Sequence, residues 1–301
     1  MIKKTVVIND RELLLSNPDK DLYPSYGFTK TRILEYYGRM ARFMLPFFKD
    51  RALTLKRYPD GVGRDFFFEK RCPAYRPAWV ETTEVPYGGE KRITYCMANN
   101  LETLIWVGNL ASIELHVPMA RVNAPDNPDS MVFDLDPGEG ANVLDCAKVA
   151  IMIKGVLEDQ KLKSFVKTSG KKGLHVCVPL DPEKTTFEDT KNFSRAMASI
   201  MQKTYPDLVT AKMAKELRTG KVFINWSQND ASKTMVGVYS LRGTEKPAVS
   251  FPLSWNDLEK KAKRSDPDSF QVLAPEAIKT VEEKAGFFEG MLHKKQRLPA
   301  L

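Results

Sequence analysis

The sequence predicts an α/β or α+β domain built around a central sheet, and three observations carry that prediction. Apolar runs of strand length alternate along the chain with amphipathic segments of helical period. Of the 301 residues, 43% are hydrophobic, 10% aromatic and 28% charged, the balance of a folded chain long enough to bury a substantial core. No internal repeat, low-complexity tract or Gly/Ser- or Pro-rich linker interrupts it, which predicts one compact domain over residues 1–301.

The elements follow in order. Thr5 to Leu15 reads as two short strands around a turn at Asn9-Asp10, and Ser16-Asn-Pro-Asp-Lys20 is turn-rich. Thr29 has the chemistry of an N-cap, and Ile33, Leu34, Tyr37, Met40, Ala41 and Met44 form the apolar stripe of a helix expected to stop before Pro46. Short strands are expected near Leu53 to Lys56, Phe66 to Glu69 and Arg92 to Tyr95, the last after a hairpin loop containing Gly88-Gly89. Asn100 caps a helix through Val107, and Ile113 to Val117 alternates as a strand ending at Pro118. Ser130 to Leu135 is an apolar strand. Asn142 and Asp145 then form a capping pair for a helix to about Leu157. Phe165 to Thr168 and Leu174 to Pro179 are strands around a Gly-rich turn, Phe187 to Tyr205 is helical, and Val222 to Trp226 is a further apolar strand.

Composition narrows the function classes. No apolar run is long enough to span a bilayer, and the start Met-Ile-Lys-Lys-Thr lacks the apolar stretch of a signal peptide, so a cytoplasmic protein with no membrane partner is expected. Cys72, Cys96, Cys146 and Cys177 are widely spaced without a Cys-x-x-Cys pair, and only 3 histidines are present. Neither a disulfide framework nor a zinc site is predicted, and the thiols read as ordinary buried or half-buried groups. A formal charge of +8 and a pI near 9.1 favour polyanionic partners such as nucleic acid or nucleotides.

The chemistry centres on Met131-Val-Phe-Asp-Leu-Asp-Pro-Gly-Glu-Gly140. Successive side chains alternate across a strand, so Asp134 and Asp136 share one face with Cα atoms about 6.5 to 7 Å apart. Two carboxylates so placed suit a pair of hard divalent cations, Mg²⁺ or Mn²⁺, of the kind used in phosphoryl transfer. The same pair equally suits a solvated strand end leading into the Pro137-Gly138 turn. Haloacid-dehalogenase-type phosphatases also place Asp-x-Asp after an apolar strand. They carry Thr or Val where this chain has Gly138, and no later Asp-Asp pair is present to complete such a site.

Val166-Lys-Thr-Ser-Gly-Lys-Lys-Gly-Leu-His-Val176 sets Ser169, Lys171 and Lys172 in a tight strand-to-strand turn whose N–H groups and ammoniums can cradle phosphate. A hairpin with solvated lysines is the plainer reading. The turn leads to no helix, which excludes an ordinary P-loop. His175 can face the same site, and His116, Arg218 and Arg242 are further candidates, Arg offering forked donors to phosphate.

These strings together resemble the polymerase domain of the prokaryotic nonhomologous end-joining ligase LigD, within the archaeo-eukaryotic primase superfamily. The resemblance covers nearly the whole chain. It rests on Leu15-Ser-Asn-Pro-Asp-Lys-Asp-Leu-Tyr-Pro24, Arg57-Tyr-Pro-Asp-Gly61 with Phe66-Phe-Phe-Glu-Lys70, Val132 to Gly140, the Thr168 to His175 turn, and Asn225-Trp-Ser-Gln-Asn229 with Tyr239-Ser-Leu-Arg-Gly243. It implies a primase-type fold with an RRM-like catalytic sheet, in which an N-terminal α/β module of about 1–120 intertwines with a catalytic module of about 121–301. It further implies a DNA-dependent nucleotidyltransferase that fills gaps and extends 3′ ends at double-strand breaks, taking NTP or dNTP with preference for ribonucleotides and using two Mn²⁺ or Mg²⁺ ions. By the same resemblance, Asp134 and Asp136 hold metal, and His116, Ser169, Lys172 and Arg242 bind the triphosphate. Lys20 and Lys30, ordinarily solvated surface charges, grip a DNA 5′-phosphate. Phe67 and Phe68 stack the template, while Phe66 reads as a buried strand residue. Arg218 lies in a loop that organises the active site. Gapped or 3′-overhanging DNA with a 5′-phosphate, a Ku-type end-binding protein and a DNA ligase are the implied partners, in a nucleoid-associated setting.

One position departs from the pattern. The family carries a third metal-binding Asp where this chain has Asn225, so the site loses a formal negative charge just where a dication is held. The expectation is weakened or abolished catalysis with nucleotide and DNA binding kept; Asp230 can compensate only if the chain bends to bring it back. The alternative of a different class is a non-catalytic DNA-end binding or synapsis module.

Overall fold

In the run from Ser130 to Pro137 the residues Met131, Phe133 and Leu135 are completely buried, while Asp134 is half-buried and Asp136 exposed. On the face that carries the two carboxylates, exposure grows along the strand from Val132 at 1% through Asp134 to Asp136, so the pair sits where the cover of that face ends. The computed structural model describes residues 2–86, 91–283, 286 and 288–299; the loop expected at Gly88-Gly89 lies outside them. The chain folds as two compact units, one comprising Met1–Pro118, Val236–Val249 and Leu273–Glu283, the other Met119–Met235, Ser250–Val272 and Lys284–Leu301.

The second unit holds a six-stranded sheet. Its order is Val209–Thr210, Val222–Asn225, Ser130–Pro137, Leu174–Pro179, Phe165–Thr168 and Pro252–Leu253. Apart from the parallel pair formed by Val209–Thr210 and Val222–Asn225, the described pairings are antiparallel. Helix Val143–Asp159 packs on the sheet through Cys146, Ala147, Val149, Ala150, Ile153 and Leu157, one apolar stripe of helical period. It opens with the expected capping box, Asn142 Oδ1 accepting from Leu144 N at 2.8 Å and Asp145 Oδ2 from Asn142 N at 3.1 Å. Helix Phe187–Thr204 starts in the same way at Thr186 and Asp189. Helix Trp255–Arg264 was not anticipated, although Ser254 caps it by accepting from Asp257 N at 3.0 Å.

The central strand is completed by a side chain. Strand Val222–Asn225 ends opposite Asp134, and beyond it Asn229 Oδ1 accepts from Val132 N at 2.8 Å while its Nδ2 donates to Val132 O at 2.7 Å. Asn229 thus continues the ladder past the end of the neighbouring strand, and at 1% exposure it has no water to do so instead.

In the first unit, helix Lys30–Phe48 packs on helices Leu101–Asn109 and Ala274–Glu283. It runs through Pro46 rather than stopping before it. Phe48, 1% exposed, is an apolar anchor whose burial holds the last turn despite the missing Pro N–H. Strands Phe67–Glu69, Thr54–Arg57 and Ser112–Val117 lie side by side in an antiparallel sheet. The hairpin of Thr82–Pro86 and Arg92–Cys96 corrects the reading of the cysteines. Cys72 N donates to Thr94 O at 2.7 Å, which brings Cys72 within 5.0 Å (Cα to Cα) of Cys96, and the two form a disulfide. Cys146 and Cys177 remain buried thiols.

Candidate active site

Register brings three side chains together on the second unit's sheet. Asp134 lies opposite His175 on one neighbouring strand and opposite Asn225 on the other. His175 Nε2 stands 3.2 Å from Asp134 Oδ1, and Asn225 Nδ2 donates to Asp134 Oδ2 at 3.1 Å. Burial by itself raises the Asp134 carboxyl, but His175, the Asn225 amide and the buried ammonium of Lys167 reverse this, leaving it below the usual carboxylate value. Asp134 is therefore an anion at neutral pH, with Asp136 exposed two residues on. The Asn225 amide is oriented from both sides, since its Oδ1 accepts from Ser227 Oγ at 2.8 Å. Asp230, the expected substitute, is engaged elsewhere: Lys191 Nζ donates to it at 2.7 Å and Ser232 Oγ at 2.7 Å, bringing it down to about 2.

The donor set answers whether a divalent cation fits. Two carboxylates on one strand face supply hard oxygen ligands, whereas Asn225, at the position where the sequence resemblance implies a third carboxylate, presents an N–H to Asp134. Among the described residues no cluster of three or more Asp, Glu, His or Cys is arranged around a metal position. The arrangement fits one ion held by Asp134 and Asp136 better than a pair.

Ser169 organises the turn between Phe165–Thr168 and Leu174–Pro179. Its Oγ accepts from Lys171 N at 3.2 Å and Gly173 N at 3.1 Å, and its own N donates to Gly173 O at 2.9 Å. Lys171 and Lys172 project from this turn as exposed cations. Arg218 closes the 3₁₀ turn Lys215–Arg218, its guanidinium 3.7 Å from the Phe223 ring centroid and donating to Met213 O. The turn after Asp136 fits beneath it only because residue 138 is glycine; a Cβ there would fall 1.9 Å from Arg218 O.

The first unit carries a second cluster. His116 Nε2 is 3.1 Å from Glu114 Oε2, and Arg242 Nε is 3.3 Å from the same oxygen. Burial, followed by the nearby Arg242 and Lys56 charges, outweighs Glu114 and holds His116 below its ordinary value. Phe68 meets His116 edge-on at 5.9 Å between centroids. Phe66, Phe67 and Phe68 are 50%, 43% and 55% exposed, so the expectation that Phe66 is buried is corrected. Lys56 and Arg57 contact them from opposite faces of the sheet, Lys56 Nζ at 3.8 Å from the Phe66 centroid and 5.5 Å from that of Phe68, and Arg57 at 5.2 Å from that of Phe67.

Lys20 and Lys30 line one cavity of about 640 Å³ with Ser16, Asn17, Arg57, Tyr75 and Asn109. Lys20 pairs with Asp60 at 2.8 Å. Lys30 is not the solvated charge its sequence context implied. It is 5% exposed, donates to Ser16 O at 2.6 Å, and is brought down to about 8 by burial and by the charges of Lys20 and Arg57. Glu114, Lys56, Tyr58 and Arg57 were missed from the sequence. A charge at position 114 between the apolar Ile113 and Leu115 of a predicted strand was the available signal.

A strand-borne carboxylate pair beside a Gly- and Lys-rich turn, in a mixed sheet of this order, has the chemistry that nucleotidyl transfer needs, and its class is that of the primase-polymerases. Comparison with known proteins makes this particular. The family model described as the LigD primase-polymerase domain matches residues 29–283, and the chain belongs to that family. It is 38% identical over 271 residues to the multifunctional non-homologous end joining protein LigD of Mycolicibacterium smegmatis, covering 89% of this chain and 34% of that protein. The bifunctional LigD of Bacillus subtilis is 31% identical over 248 residues, covering 82% of this chain and 40% of the relative. The chain thus spans well under half the length of these relatives. A solved structure, the polymerase domain of Mycobacterium tuberculosis ligase D in complex with DNA, superposes with a TM-score of 0.86 at 36% identity, covering 94% of this chain and 98% of that one. Among the described residues no helix is long and apolar enough to cross a membrane.

Proposed function

We propose that this domain extends 3′ ends and fills gaps in broken DNA carrying a 5′-phosphate, with preference for ribonucleotides. The observation that carries this reading is the Asp134 carboxylate, held ionised beside exposed Asp136 on the central strand. In this reading Asp134 and Asp136 hold Mn²⁺ or Mg²⁺. When bound, such an ion makes the 3′-hydroxyl a better nucleophile and steadies the triphosphate. Ser169 and Lys172 bind phosphate in the second unit, while His116 and Arg242 do so in the first. Lys20 and Lys30 bind the DNA 5′-phosphate through charge-assisted donors, and Phe67 and Phe68 offer faces for unpaired template bases. Arg218 orders the turn that follows Asp136. A Ku-type end-binding protein and a DNA ligase, in a nucleoid-associated cytoplasmic setting, are the partners this role requires.

Asn225 favours a second reading. Its amide takes an Asp134 lone pair and brings no charge, so cation affinity falls while the phosphate and DNA contacts stay. With Asn225 the domain then binds and bridges DNA ends more than it synthesises. Primer extension on gapped DNA with Mn²⁺ and ribonucleotides separates the two, comparing this chain with Asn225→Asp. The substitution is expected to raise extension by at least about 10 to 100-fold, the scale of changes around a metal site. No rise would remove the assignment of position 225. End binding by both forms without incorporation by either would establish the non-catalytic module.

A further inference from the structure

We propose that Glu114 is the positioning residue that sets His116, Arg242 and Lys56 for binding the triphosphate, an inference that rests on the nucleotide-binding role given above to His116 and Arg242. Its carboxylate is only 1% exposed, on a strand whose neighbours Ile113 and Leu115 are completely buried. A carboxylate in that position costs several kcal/mol even after relaxation, so a strand built for stability alone is better served by an apolar residue. The cost is offset by dense coordination. Oε1 accepts from Tyr58 Oη at 2.8 Å, from Gly243 N at 3.1 Å and from Lys56 Nζ at 3.3 Å. Oε2 faces His116 Nε2 at 3.1 Å and Arg242 Nε at 3.3 Å.

What Glu114 grips, and where, gives the cluster its direction. A carboxylate at Nε2 keeps a proton on that nitrogen and fixes the plane of the ring, so contact with phosphate falls to Nδ1, which donates once the charge of an arriving triphosphate has brought the imidazole to its protonated form. Contact through Nε of Arg242 leaves the forked end of the guanidinium to an anionic ligand, the part that binds phosphate bidentately. Lys56 is drawn between Glu114 and the Phe66 ring, which fixes an otherwise flexible ammonium. One carboxylate also relieves the repulsion between Lys56 and Arg242, so two like charges stand ready before any nucleotide arrives. Gly243 permits this approach: a Cβ there would fall 2.1 Å from Tyr58 Oη. The Arg-Gly pair at 242–243 therefore acts as a unit with position 114.

The test compares the full chain with Glu114→Gln, which keeps shape and removes charge, and with Tyr58→Phe, which removes one hydrogen bond to the same oxygen. Equilibrium binding of a radiolabelled ribonucleoside triphosphate is read beside thermal unfolding. In an Asn225→Asp background, KM for nucleotide is read beside KM for gapped DNA. Glu114→Gln is expected to weaken triphosphate binding and raise nucleotide KM about tenfold or more, with KM for DNA unchanged, and Tyr58→Phe to do the same more mildly. Should Glu114→Gln fail to fold, Tyr58→Phe carries the test. Triphosphate affinity unchanged in the folded variants, or equal rises in both KM values, overturns the proposal. His116→Ala and Arg242→Ala serve as references: if neither weakens triphosphate binding, the underlying nucleotide reading fails, whereas weakening there but not at positions 114 and 58 removes Glu114 alone.

Discussion

Lys30 shows how a single residue carries a pH signature. Folding lowers its ammonium from 10.5 to about 8, through burial first and then through Lys20 and Arg57. Between those values the unfolded chain binds the extra proton, so this group's contribution to stability rises with pH across that window. Phosphate binding has the opposite sense, because it needs the charged form. Preference for a 5′-phosphorylated gap is therefore expected to fall as pH rises through about 8, and Lys30→Met is expected to abolish that dependence; extension on gaps with and without the phosphate at pH 7 and pH 9 measures it. Lys20→Ala should reduce the same preference more than affinity for duplex lacking the phosphate. The cavity also explains why position 30 reads poorly from sequence: nothing local to Thr29-Lys30-Thr31 reveals that Ser16 O lies 2.6 Å from the ammonium.

The strand Ser130–Pro137 is the element on which the candidate site depends, and Asn229 is the residue that completes it. Asn229→Ala leaves the N–H and C=O of Val132 without their partners in a region closed to water. A loss of about 2 to 6 kcal/mol in urea unfolding is expected, at about 1 to 3 kcal/mol for each of the two orphaned groups. Asn229→Asp keeps the acceptor but buries a carboxylate against Val132 O, and should cost at least as much as Asn229→Ala. A loss below about 0.5 kcal/mol would show that other groups or water take over. Much of this element was legible. The alternation in Met131 to Asp136, the Asn142 cap and the two strands around Ser169 follow from local chemistry. Helix termination at Pro46 was misread because Pro penalises the helix locally while burial of Phe48 acts at long range.

For the whole molecule the net charge of +8 sets the physics of association. Binding to DNA ends should weaken steeply between about 50 and 200 mM salt, and removing one phosphate contact, as in Lys20→Ala, should lower the slope of log K against log salt by about one. Fluorescence anisotropy over that range is the measurement, and an unchanged slope would take Lys20 out of contact with phosphate. By itself the sequence determined the class of fold, the strand carrying Asp134 and Asp136 and the Ser169 turn, because these depend on periodicity, turn chemistry and residue type within a few positions. Only the tertiary structure decided that Cys72 bonds Cys96, that Lys30 is buried, that Asn225 donates to Asp134, and that Glu114 joins Lys56, Tyr58, His116 and Arg242. Those are contacts between distant segments, set by strand register and packing, and a linear chain carries no local mark of which charge will meet which.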